Sequence, residues 1–213
     1  MKIFDKLFRY KSQPQTVNSN RPVVVVSGLP RSGTSMMMKM LEAGGIEILS
    51  DDLRQADEDN PKGYYEFERV KQLDKGDDAW VANASGKAVK VISALLEYLP
   101  SGYYYRVIFM NRRIEEVIAS QRKMLKHRGE ESNISDEELA ELLRRHVIKV
   151  KSWVNSKPNF VLLDVDYNAI VVDPVLYVHR INSFLGGGLD EDAMVAAVDP
   201  NLYRNRTTKR SDR

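Results

Sequence analysis

The chain has 213 residues, 43% of them hydrophobic and 29% charged, which suits one soluble globular domain with a sizeable core. Lys and Arg total 32 against 30 Asp and Glu, a formal net charge of +2, which argues against broad wrapping of nucleic acid but allows a local basic pocket. Cysteine is absent, which excludes disulfides, thiol nucleophiles, thiolate metal sites and thiol redox switching.

His127, His146 and His179 are well separated and lack i,i+4 partners, which argues against a histidine zinc site, so no metal is expected. No apolar run approaches the roughly 20 residues of a membrane span. Met1 to Tyr10 sets Ile3, Phe4, Leu7 and Phe8 among Lys2, Asp5, Lys6 and Arg9. It has no continuous apolar region of the kind a secretory signal carries. The pattern fits a short amphipathic helix, docked on its own domain or a frayed end, with weak, reversible membrane-surface contact as the alternative. Lys11 to Arg21 is polar and reads as a linker. The expected organisation is therefore an N-terminal segment over 1–21, one domain over 22–206 and a disordered tail over 207–213.

Val23 to Val26, between Pro22 and Gly28, is a short β-branched run of the kind buried on both faces in a parallel sheet. A glycine-containing loop follows, then a helix over Ser35 to Ala43 stopped by Gly44-Gly45. Ser50 to Lys62 is polar and acidic, the composition of a surface loop over an active face. Tyr104 to Met110 predicts a second strand. Glu115 to Arg128 predicts a helix, acidic at its start and stopped by Gly129. Ser135 and Glu138 form a capping box for a long helix to about Asn155. Phe160 to Val165 predicts a third strand. Asp173-Pro174 caps and starts a helix that ends at Gly186-Gly187-Gly188. Strands alternating with helices imply a three-layer α/β/α fold with a central parallel sheet.

The segment Gly28-Leu-Pro-Arg-Ser-Gly33-Thr-Ser35 has the G-x-x-x-x-G spacing of a P-loop, between the clearest strand and a helix. Such a loop turns backbone N–H groups toward one centre, and the helix N-terminus adds positive potential. Arg31 adds a permanent cation, and Ser32, Thr34 and Ser35 add hydroxyls. A nucleotide triphosphatase would carry Lys at position 34, which is Thr here. Phe160 to Asp164 imitates the acidic strand of such proteins, but runs of this kind are common.

Pro30-Arg-Ser-Gly-Thr-Ser35 resembles the loop with which the sulfotransferase family binds 3′-phosphoadenosine 5′-phosphosulfate (PAPS), whose desulfated product is 3′-phosphoadenosine 5′-phosphate (PAP). The resemblance is to bacterial-type members, covers roughly 22–206, and implies a P-loop-like fold and a PAPS-dependent transferase. Many members have Lys where this chain has Arg31. Some place an aromatic residue near the adenine where Met36 stands. Cofactor contacts are implied for Arg31, Ser32, Gly33, Thr34 and Ser35. The family's Arg at a strand end, followed by Ser eight residues later, matches Arg112 and Ser120 as an anchor for the 3′-phosphate. A guanidinium and a hydroxyl suit that phosphate. The alternative pairs Arg112 and Arg113 with Glu115 and Glu116 as a solvated helix cap.

At the reacting centre the resemblance implies Lys90, with Arg31, as electrostatic catalysts. A snorkelling surface lysine is the alternative for Lys90. Cytosolic small-molecule members carry His where this chain has Ile92, so that base does not carry over. Asn60-Pro-Lys-Gly-Tyr-Tyr-Glu66 resembles a bacterial-type stretch and makes Glu66 the candidate base, with Asp51 and Asp52 in reserve. A carboxylate would serve if burial raised its pKa toward neutrality. Arg204 and Arg206 are candidates for further phosphate contacts. The expected function is transfer of a sulfuryl group from PAPS to a hydroxyl or amine acceptor of unknown identity, in the cytoplasm. A P-loop nucleotide kinase or NTPase, and a non-catalytic phosphoadenosine-nucleotide-binding module, are the alternatives.

Overall fold

The computed structural model describes residues 21–51, 65–127, 129–130 and 133–199. The expectations for the N-terminal amphipathic segment, Asp52, most of the Ser50 to Lys62 loop, Arg204, Arg206 and the tail lie outside these residues.

Four strands form one parallel sheet in the order β2-β1-β3-β4: β1 Val23–Gly28, β2 Ala88–Lys90, β3 Tyr105–Asn111 and β4 Phe160–Asp166. All six residues of β1 are buried, as the valine run requires of a strand with neighbours on both sides. The helices are α1 Thr34–Ala43, α2 Ile114–His127, α3 Asp136–Asn155, α4 Tyr167–Val172, α5 Pro174–Leu185 and α6 Glu191–Ala197. Three 3-10 segments, Glu68–Lys75, Ala79–Ala84 and Ser93–Tyr98, complete the described elements.

Side-chain alternation along the strands divides the core in two. On one face Val23, Val25, Val89, Val107 and Phe109 pack with Trp80, Leu96 and Val154. On the other, Val24, Val26, Ile108 and Met110 meet Met37 and Met40 of α1, Ile170 of α4, Ile181 of α5 and Met194 of α6. The result is the expected three-layer α/β/α sandwich.

Local chemistry sets the helix ends. The Ser135–Glu138 capping box is formed in both directions at the start of α3. Asp166 caps α4 through Ala169 N–H at 3.0 Å, and Asp190 caps α6 through Ala193 N–H at 2.9 Å. Asp173 departs from expectation. It stands at the N-cap of α5 but makes no side-chain capping bond; the backbone conformation and Pro174, with its fixed φ, start that helix.

The topology positions the site. From β1 the chain goes to β2 on one flank and then to β3 on the other, so the carboxyl ends of β1 and β3 face a crevice at the point where the order reverses. In register, Gly28 lies beside Met110 and Val26 beside Lys90. The residues that follow β1 and β3 therefore come side by side, with Lys90 on the far flank of β1.

Candidate active site

The turn between β1 and α1 is built on two glycines. Gly28 has φ +149°, and a Cβ there would lie 2.5 Å from Ser32 Oγ and 2.7 Å from the Met110 carbonyl. Gly33 has φ +98°, and its Cβ would lie 2.2 Å from the Tyr167 ring. No larger residue fits either place without moving backbone or a buried aromatic. Arg31, between them, takes φ +72°, an unusual conformation for a side chain of its size. Gly33 is also the N-cap of α1, so the unsatisfied N–H groups and positive dipole end of that helix open at the loop.

Ser32 is 1% exposed, and its Oγ has no hydrogen-bond partner among the described residues. A buried hydroxyl left this way carries a desolvation cost that a ligand oxygen would remove.

The second group of residues lies where β3 ends. Arg31 Nε donates to Ser120 Oγ of α2 at 2.9 Å, and Arg112 Nη1 donates to the Arg31 carbonyl at 3.1 Å. Gln121 Nε2 donates to the Pro30 carbonyl at 3.4 Å. The glycine loop and the Arg112–Ser120 pair thus form one surface. Arg112 stacks on Tyr167, 4.7 Å from the ring centroid to Cζ.

Arg112 does not belong to a solvated cap. Its Nε donates to Glu116 Oε2 at 3.0 Å, and Glu116 is fully buried. Arg113 Nη1 lies 3.7 Å from the other oxygen of Glu116, while Glu115 turns away to Arg144 at 2.7 Å. Asn168, which sequence reading passed over, donates to both Glu116 oxygens at 3.1 and 2.9 Å. Nothing in the local sequence signals that one of two adjacent glutamates is buried.

On the other flank, Lys90 closes β2. Its side chain is only 9% exposed, so it is not a surface lysine. Ala88, two residues earlier, packs on the α1 side, and Lys90 points the same way: its Nζ lies 3.5 Å from Ser35 Oγ and 3.8 Å from Glu66 Oε1. Glu66 is 16% exposed, with Lys71 Nζ at 3.2 Å from its other oxygen. Lys90, Ser35 and Glu66 are therefore brought together.

Asp51 lies beside Glu66, its N–H donating to the Glu66 carbonyl at 3.2 Å, but its side chain turns elsewhere. Its Oδ2 accepts the Glu68 N–H at 2.6 Å, at the start of a 3-10 segment. Met36 packs at the edge of the α1 core. Asp164 meets Lys151 at 2.5 Å and accepts from Asn111 Nδ2 at 2.8 Å, a local network at the strand ends. Thr34 begins α1.

No protein-family model and no curated protein matches the sequence. Solved structures do match by shape. The chain is similar to mouse sulfotransferase SULT7A1, complexed with PAP, with TM-score 0.56, 13% identity, and 92% of this chain and 71% of that one covered. It is similar to sulfotransferase STF1 from Mycobacterium tuberculosis, with TM-score 0.55, 18% identity, and coverage of 87% and 74%. The sulfotransferase domain from the curacin biosynthetic pathway gives TM-score 0.50 and 16% identity over 87% of each chain. The parallel sheet, the glycine turn at the end of its buried strand and these three likenesses together give the chain the fold of the sulfotransferases.

Proposed function

We propose that residues 22–206 form a sulfotransferase that moves a sulfuryl group from PAPS to a hydroxyl or amine of an acceptor. One observation carries the reading: Arg31 of the glycine loop bonds to Ser120 and, through its carbonyl, to Arg112, which joins two anion-binding features in one crevice. A mononucleotide needs only the loop. A nucleotide phosphorylated at both ends of its ribose needs a second cationic anchor. The PAP complex of the mouse structural neighbour supports the same donor class.

The residues present fit such a donor. Gly28 and Gly33 let the loop close tightly against Ser32, Met110 and Tyr167, and Ser32 offers a buried hydroxyl with no partner among the described residues. Arg31, Ser32, Gly33, Thr34 and Ser35 would hold the 5′-phosphosulfate, with the first-turn N–H groups of α1. Arg112 and Ser120 would hold the 3′-phosphate. When bound, the donor supplies an activated sulfuryl group.

The chain's own residues do the rest. Lys90, fixed beside Ser35, places an ammonium where negative charge grows on the leaving phosphate oxygen, and Arg31 adds a second cation. Glu66, next to Lys90, accepts the proton of the acceptor hydroxyl or amine.

Calorimetric titration of the wild-type chain with PAP and with 5′-AMP tests the reading. Much tighter binding of PAP is expected, and equal affinity overturns the two-anchor claim. Transfer of label from radiolabelled PAPS to a panel of hydroxyl and amine acceptors tests the activity; donor binding with no transfer to any of them would favour a binding module.

A further inference from the structure

Glu116 is a carboxylate with no exposed surface. Such a group is tolerated only when it is paired and its oxygens are hydrogen bonded. Arg112 and Arg113 supply the charge, but Arg113 is 44% exposed and sits at 3.7 Å. Close contacts include Arg112 Nε at 3.0 Å and the two bonds from Asn168 Nδ2.

Asn168 is fixed on its other side too. Its Oδ1 accepts the Arg113 backbone N–H at 3.3 Å. The two neighbours determine the orientation of the amide: an ionised carboxylate can only accept, and a backbone N–H can only donate. Asn168 thus ties the first turn of α4 to the turn after β3 and, through Glu116, to α2. Its neighbour Tyr167 touches both Arg112 and the place where Gly33 lacks a Cβ.

The consequence falls on Arg112. A guanidinium is planar, so the bond from Nε to Glu116 sets the plane in which its other N–H groups lie. In that plane Nη1 reaches the Arg31 carbonyl. If the carboxylate turned, the guanidinium would turn with it.

We propose that Asn168 is a positioning residue: by holding both oxygens of Glu116 it orients Arg112, and so gives the crevice its preference for a nucleotide phosphorylated at both the 3′ and 5′ positions over one phosphorylated at 5′ alone. The inference rests on the donor reading above and adds to it a residue that would not itself touch the donor.

The test is calorimetric titration of the full chain with PAP and 5′-AMP, in the wild type and in Asn168→Ala, with thermal unfolding of each. The expected result is a loss of about tenfold in PAP affinity, the scale of a hydrogen bond to a charged group, while AMP affinity stays unchanged. General loosening of the fold would instead weaken both ligands together. An unchanged PAP-to-AMP ratio in the folded variant overturns the inference and leaves the donor reading standing. A wild type that does not distinguish the two ligands overturns both. Should Asn168→Ala fail to fold, Asn168→Ser carries the same comparison, since its shorter side chain cannot span Glu116 and the Arg113 N–H together.

Discussion

Arg31 and Ser120 stand 89 residues apart in sequence and 2.9 Å apart in space, with the guanidinium Nε donating to the hydroxyl. Residues joined in this way do not contribute independently. Arg31→Ala and Ser120→Ala are each expected to weaken PAP binding, and the double variant to lose less than the two losses combined. A double-mutant cycle by calorimetry should return a coupling energy of about 1 kcal/mol. Strict additivity would mean that the contact does not persist in the bound state.

Lys90→Ala separates binding from chemistry. Lys90 neighbours Ser35, at the end of the crevice proposed for the chemistry, and not Arg112. PAP affinity should change by no more than a few fold, while the rate of transfer falls by roughly a hundredfold, the usual scale for losing one electrostatic contact to a transition state. Single-turnover transfer measured beside equilibrium binding decides it. A Lys90→Ala protein with unchanged turnover removes this side chain from the chemistry.

Of the three carboxylates considered as proton acceptors, Glu66 and Asp51 lie among the described residues, and their surroundings predict opposite outcomes. Glu66→Gln should slow transfer by about a hundredfold or more, within the range for losing a general base, and leave PAP binding intact. Asp51→Asn should leave transfer nearly unchanged, because Asp51 is engaged with the Glu68 N–H. The pair is read from rates at saturating donor; the reverse result would exchange their roles.

Gly33→Ala is expected to be costly before any ligand is added. The new Cβ meets the Tyr167 ring in a backbone conformation that side chains rarely adopt. Strain and overpacking each cost about 1–3 kcal/mol. Urea unfolding should show a loss on that order, and a loss below about 1 kcal/mol would mean that the ring moves aside easily.

His146 is expected to make the stability of the fold depend on pH. Its Nε2 lies 2.8 Å from Ser93 Oγ. Burial first, then the charge of Lys149, push its pKa below the ordinary 6.5, against an opposing pull from Glu97. Between the folded and unfolded values the unfolded chain holds the extra proton, so stability rises with pH. That contribution is complete above about pH 6.5 and is lost as the pH falls through the folded-state value. His146→Gln should flatten the acid side of a plot of Tm against pH; the same slope in both proteins would assign the acid sensitivity to other groups.

The sequence showed the parts of the fold that carry local signals. The valines of β1, the capping box of α3 and the triple glycine after α5 each impose structure through their own chemistry. β2 was missed as a strand because three residues, Ala88–Lys90, are too few to show alternation. α4 and α6, of six and seven residues, show hardly two turns of helical period. Their caps, Asp166 and Asp190, were readable only once the helices were known. In the candidate site the turn of the glycine loop was legible because its glycine spacing fixes the backbone, whereas Arg112 and Ser120 were singled out only through the family resemblance. The buried pairing of Glu116 with Asn168 was not legible, since it depends on β3 and β4 lying side by side. Glu115 and Glu116 look equivalent in the sequence, and only the packing of α2 assigns one to water and the other to the interior.

The order of synthesis has a consequence for how this crevice comes into being. The loop after β1 is held by Arg112, Ser120 and Gln121, which lie 81 to 91 residues downstream of their partners. On the ribosome, the four valines emerge well before either strand that will cover them. The nascent chain must keep its most apolar stretch from aggregating until β3 arrives, and contacts so distant in sequence close slowly. The crevice is therefore closed late in folding, and a product released before residue 112 would carry the glycine turn without the groups that hold it.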